Sequence, residues 1–122
     1  MTKKAVVVDD DKKTVIFVET VLSKMGYRVL GAYEGIEGLT LVKKEKPDLL
    51  VIDLLLPGLH GAELCRKVKE EPALSHVKII AISGVYNETQ YRLNLDCKAD
   101  AFMTKPLSVE ALERQVKAVT GE

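Results

Sequence analysis

Leu49-Leu50-Val51-Ile52-Asp53-Leu54-Leu55-Leu56-Pro57-Gly58-Leu59-His60-Gly61 places a carboxylate at the end of a continuous apolar run and follows it with turn residues. A strand that is apolar at every position has both faces covered, which marks a central strand of a parallel sheet. A charge at the end of such a strand is costly to desolvate unless something uses it. Asp53 is therefore the first candidate functional residue.

On the N-terminal side, the β-branched run Ala5 to Val8 stops abruptly at Asp9, Asp10 and Asp11, the pattern of a second doubly buried strand ending in an acidic loop. From Lys12 the period becomes helical. Val15, Val18, Leu22 and Met25 share a face, the aspartates suit the helix N-terminus, and Gly26 ends the element. Arg28 to Ala32 reads as a strand, and Ile36 to Lys46 as a helix with Leu39 and Val42 inward, closed by Pro47. Gly38 within it costs about 1 kcal/mol relative to Ala.

Beyond the opening stretch, a helix is predicted from Ala62 to Lys69 with Leu64, Cys65 and Val68 inward, and Pro72 breaks it. Lys78 to Ile82 is a strand ending at Ser83 and Gly84. Glu88 to Cys97 is helical but poorly periodic. Ala101 to Met103 makes a short strand before Thr104, Lys105 and Pro106, and Ser108 caps a last helix with Leu112, Val116 and Val119 inward. Five strand and helix pairs alternate, which implies an α/β fold: a doubly wound five-stranded parallel sheet with right-handed crossovers. In such sheets ligands bind at the C-terminal strand ends, where strand order reverses. That rule gathers Asp9, Asp10, Asp53, Ser83 and Lys105 into one crevice.

The totals fit a single domain, 1–122. Lys plus Arg (18) balance Asp plus Glu (18), which disfavours direct nucleic-acid binding. No apolar run approaches the ~20 residues that span a bilayer, so no membrane association is expected, and with no signal peptide the chain reads as cytoplasmic. Cys65 and Cys97 are too few and too far apart for a zinc site or a redox pair, and read as buried or half-buried thiols.

Clustered carboxylates without His or Cys favour a hard cation held by oxygen, and Mg2+ suits a site that keeps positions open for water and phosphate. Asp10 and Asp53 are the expected direct ligands. Asp9 can act through a water, and a backbone carbonyl just after Asp53, that of Leu55, can complete the protein's share. Lys105 adds a compact cation and Ser83 a hydroxyl. Those are the parts needed for phosphoryl transfer with Asp53 as nucleophile, giving an aspartyl phosphate.

With Asp9 and Asp10 after the first strand, Asp53 with Pro57 and Gly61 behind it, Ser83 after the fourth, and Lys105 followed by Pro106, the chain resembles the receiver domain of two-component response regulators over its whole length. The resemblance implies a flavodoxin-like strand order 2-1-3-4-5. It implies Mg2+-dependent phosphorylation of Asp53 by a histidine kinase, a phosphotransfer protein or a small phosphodonor, in a signalling phosphoacceptor that assists its own phosphorylation and dephosphorylation. It implies contacts of Lys105 and Ser83 with the phosphoryl oxygens and a cis bond between Lys105 and Pro106. Phe102 occupies the family's mobile aromatic position. Ser83 and Phe102 would switch the face made by the predicted fourth helix, the fifth strand and the fifth helix toward a downstream protein, with the chain a monomer or a phosphorylation-dependent dimer.

Other readings have definite signatures. Asp11 is a helix cap, Phe102 reads equally as a core aromatic, His60 and His76 fall in turns, and Tyr86 and Tyr91 cover apolar surface. A phosphatase with an aspartate nucleophile commonly has a second acid two residues on, where Leu55 stands. A flavin or dinucleotide module needs a phosphate cradle after the first strand, and Asp9 to Asp11 repel phosphate. An unphosphorylated interaction module needs no intact site. Leu55 and Val85 are aliphatic where polar groups help place the hydrolytic water, which points to slow loss of phosphate. Leu56 replaces the commoner Met, and Lys98 stands where many receivers have Gly.

Overall fold

The computed structural model describes residues 2–84 and 97–122. Strands β1 (Lys3–Val8), β2 (Tyr27–Ala32), β3 (Leu49–Asp53), β4 (Lys78–Ser83) and β5 (Ala101–Thr104) form one sheet in the order β2-β1-β3-β4-β5. Every pairing is parallel. Helices α1 (Lys12–Lys24), α2 (Gly35–Glu45), α3 (Gly61–Glu70) and α4 (Val109–Thr120) cover it, with a 3-10 turn at Pro72–Leu74. The predicted α/β fold and strand order hold, with strand and helix ends moved by a residue or two. Except for Cys97, the predicted helix from Glu88 lies outside the described residues, as do Val85, Tyr86 and Tyr91.

The strands alternate between two cores, as a pleat of period two requires. Val6, Val8, Leu50, Ile52, Ile79 and Ala81 pack with Val42 of α2 and with Leu64, Cys65 and Val68 of α3. On the opposite face Ala5, Val7, Leu49, Val51, Ile80 and Ile82 pack with Val15, Val18 and Leu22 of α1 and with Leu112 and Val116 of α4. This explains the unbroken apolar runs of β1, β3 and β4: their apolar residues have a core to enter, whichever way they point. Each fully buried aliphatic side chain contributes about 1.5–3 kcal/mol. Met25, Leu39 and Val119, also predicted inward, are only partly buried, at the edges of these cores.

Local chemistry sets the helix starts. Asp11 Oδ1 accepts the Lys13 N–H at 3.0 Å, and Ser108 Oγ accepts that of Ala111 at 3.1 Å. Gly38 has a packing reason: a Cβ there would lie 2.8 Å from both γ-methyls of Val8, so glycine lets α2 approach β1. Lys98 does adopt the left-handed conformation, with φ 56°. Among the described residues no helix is long and apolar enough to cross a membrane.

Cys65 and Cys97 are both buried and neither is in a disulfide. Distance along the chain misjudged them in one respect. Both belong to the core under α2 and α3, and the Cys97 thiol hydrogen-bonds with that of Cys65, which with burial pushes the Cys65 thiol well above its ordinary pKa.

Candidate functional site

The switch point lies between β1 and β3, because the chain leaves β1 for β2 on one side and returns to β3 on the other. The register that pairs Val8 with Ile52 sets Asp9, the next residue, beside Asp53. Asp9 is fully buried and Asp53 is 5% exposed, whereas Asp10 is open to solvent. One carboxylate oxygen from each of these acids falls within 4.8 Å of the others.

Backbone donors orient the two buried acids. Asp9 Oδ1 accepts the Asp11 N–H at 2.8 Å, and Asp53 Oδ1 accepts the Leu55 N–H at 2.9 Å. The loop after β3 is held by Leu54 N–H on the Ile82 carbonyl (3.0 Å) and by Gly61 N–H on the Leu54 carbonyl (3.2 Å). A Cβ on Gly61 would stand 2.1 Å from the Asp53 carbonyl oxygen, so only glycine lets α3 begin there. Leu54 and Leu56 turn into the core while Leu55 turns outward.

Lys105 arrives from the end of β5, its N–H bonded to the Ser83 carbonyl at 2.8 Å and its bond to Pro106 cis. Its ammonium lies 2.9 Å from Asp9 Oδ2 and 3.1 Å from Asp53 Oδ2. The contact to Asp53 is an aligned hydrogen bond. The contact to Asp9 is an ion pair without that alignment, which leaves the buried Asp9 Oδ2 with no hydrogen-bond partner among the described residues. Burial lifts the Asp9 carboxyl above its ordinary pKa, aided by the Asp53 charge and opposed by Lys105 and the Asp11 N–H. For Lys105, burial disfavours the charge, but the two carboxylates outweigh it and hold the ammonium's pKa above its usual value.

Two carboxylates, Asp9 and Asp53, therefore share one ammonium, Asp10 adds a third negative charge nearby, and the formal balance of the group is negative. An all-oxygen donor set, a buried oxygen without a hydrogen-bond partner and uncompensated negative charge fit a hard divalent cation. Ser83, 7% exposed, ends β4 beside Lys105. Phe102 on β5 is 42% exposed and so is not a core residue. It borders a groove with Thr104, Pro106, Ser108, Ala111 and Gln115. The fold thus brings together Asp9, Asp10, Asp53 and Lys105, with Ser83 at the neighbouring strand end. Sequence reasoning missed the Leu55 and Asp11 N–H groups, since backbone donors leave no mark in residue type.

The family model of the response regulator receiver domain matches residues 5–117. The chain belongs to that family. A Chloroflexus aurantiacus protein assigned as a response regulator is 29% identical with a TM-score of 0.91, each chain covered completely. The receiver domain of a Syntrophus aciditrophicus signal transduction histidine kinase is 27% identical with a TM-score of 0.90, covering 98% of this chain and 90% of the other. A third similar structure, from a sensor histidine kinase of Pseudomonas aeruginosa PAO1, holds magnesium in its active site cleft. At 22% identity, with complete coverage of both chains and a TM-score of 0.90, it speaks for the shared fold of this receiver domain alone.

Proposed function

We propose that Asp53 is the phosphoacceptor of this receiver domain, taking a phosphoryl group from the phosphohistidine of a histidine kinase or phosphotransfer protein, or from a small acyl phosphate. The observation that carries the reading is the shared Lys105: one ammonium bridges Asp9 and Asp53 inside a group of three carboxylates. An Asp53 oxygen forms the new P–O bond as the P–N bond to the donor imidazole breaks, and that bond's electron pair stays on nitrogen. The Leu55 N–H on Asp53 Oδ1 fixes the carboxylate for attack.

Asp10 and Asp53, with Asp9 through a water and the Leu55 carbonyl, would hold Mg2+, whose charge offsets that of the incoming phosphoryl oxygens. Lys105, already within hydrogen-bond range of Asp53, follows the charge onto a phosphoryl oxygen, and the Ser83 hydroxyl donates to another. Movement of Ser83 toward the phosphoryl group biases the exposed Phe102 inward and remodels the β5 and α4 face for a downstream protein. Coupling of this kind is typically ~1–3 kcal/mol. The aliphatic, outward Leu55 offers no polar group to a hydrolytic water, so the phosphoryl group is retained for minutes or longer rather than seconds.

Incubation with Mg2+ and a small acyl phosphate, followed by intact mass, tests the reading. Wild type is expected to gain one phosphoryl group and Asp53→Ala none. Equal gain by both, or none by wild type, overturns it.

A further inference from the structure

Cys65 sits on α3 one turn before Lys69, so both project from the same helix face. Lys69 Nζ is 2.8 Å from Asp100 Oδ2, and that oxygen also accepts the Ile79 N–H at 2.8 Å. The ion pair sets the register of the chain entering β5 against α3. In that register Cys97, one turn of chain before Asp100, enters the same core as Cys65, both fully buried. We propose that Cys65 and Cys97 form a redox-closable link, an intramolecular disulfide tying α3 to the stretch that leads into β5.

The chemistry needs a small disulfide as oxidant. One cysteine thiolate attacks it and releases the first small thiol. The other cysteine then attacks the mixed disulfide and releases the second, so two protein thiols become one disulfide and the oxidant is reduced to two thiols. Because both sulfurs are buried and the Cys65 thiol is held protonated, the oxidant reaches them when the chain opens or folds. The closed loop runs from 65 to 97 and contains β4, with Ser83 at its end.

The test refolds the full chain from denaturant in a glutathione redox buffer. It is then quenched in acid, denatured and alkylated, and its intact mass is read. Loss of two hydrogens with no alkyl label, reversed by dithiothreitol, is expected for wild type. Cys97→Ser is expected to carry one label or one glutathione. The oxidised form should melt about 5 °C or more above the reduced form, because a bridge that fits the native fold constrains only the unfolded chain. Full labelling of both thiols, two glutathione adducts, intermolecular dimers, or an oxidised form that melts lower each overturn the proposal. The comparison of oxidised and reduced wild type needs no variant to fold.

Discussion

The two ends of β5 are each held by a lysine, and the lysines do different work. Before the strand, Lys69 faces one carboxylate, Asp100, which also accepts the Ile79 N–H, and Lys69 reaches the Val77 carbonyl at 3.4 Å. Charge there is matched one to one, and Asp100 Oδ2 takes both the Lys69 ammonium and the Ile79 N–H. After the strand, Lys105 is divided between Asp9 and Asp53 with Asp10 nearby, and one buried Asp9 oxygen has no hydrogen-bond partner among the described residues. A balanced pair holds a fold together, whereas an unbalanced acidic group of this kind fits a cation.

Exchanging the lysines one at a time probes that contrast most strongly. Lys105→Met is expected to slow phosphorylation by acyl phosphate about 100-fold, the usual cost of losing one charged stabiliser of the transition state. Lys69→Met should leave the rate unchanged and lower unfolding stability by about 1 kcal/mol, read by urea denaturation. Comparable rate losses in the two variants would erase the distinction. A smaller effect is expected at Leu55. Leu55→Asn, offering an exposed amide beside Asp53, should shorten the phosphoryl lifetime several-fold, measured as the decay of the phosphorylated mass after the donor is removed.

The smallest effect concerns Asp9 and runs opposite to most substitutions. Its carboxyl is raised from 3.8 by burial, so the protonated form favours the fold. That contribution is fully present below about pH 3.8 and is lost as pH rises through the folded-state value, leaving ionised Asp9 destabilising at neutral pH. Asp9→Asn keeps an acceptor for the Asp11 N–H and removes the charge. It should raise stability at pH 7 by roughly 0.5–2 kcal/mol and lose that advantage in acid. Urea denaturation at pH 7 and in acid checks both signs.

Much of this was legible because burial on both faces writes itself into residue type. Ala5 to Val8 and Leu49 to Ile52 are apolar throughout, and the charges that end them stand out. Asp53 and Asp9 were readable for that reason, whereas Lys105, after the short and partly exposed β5, stood out only in their company. The function of Gly38 was not, because a helix-weakening residue shows its use only against the Val8 methyls it admits. The division of Lys105 between two acids depends on side-chain reach, and the meeting of Cys65 with Cys97 on a register set by Lys69 and Asp100. Neither leaves a periodic trace. Phe102 was ambiguous between core and switch, and its exposure decides against the core.

The most direct test of the unbalanced group is to map the phosphoryl group by peptide mass after acyl phosphate treatment, with Mg2+ present and with a chelator in its place. One phosphoryl group on Asp53 with Mg2+, and none with the chelator, is the expected result. Phosphate on another residue, or equal labelling without the metal, would contradict the account of Asp53 as a nucleophile prepared by Asp9, Asp10 and Lys105.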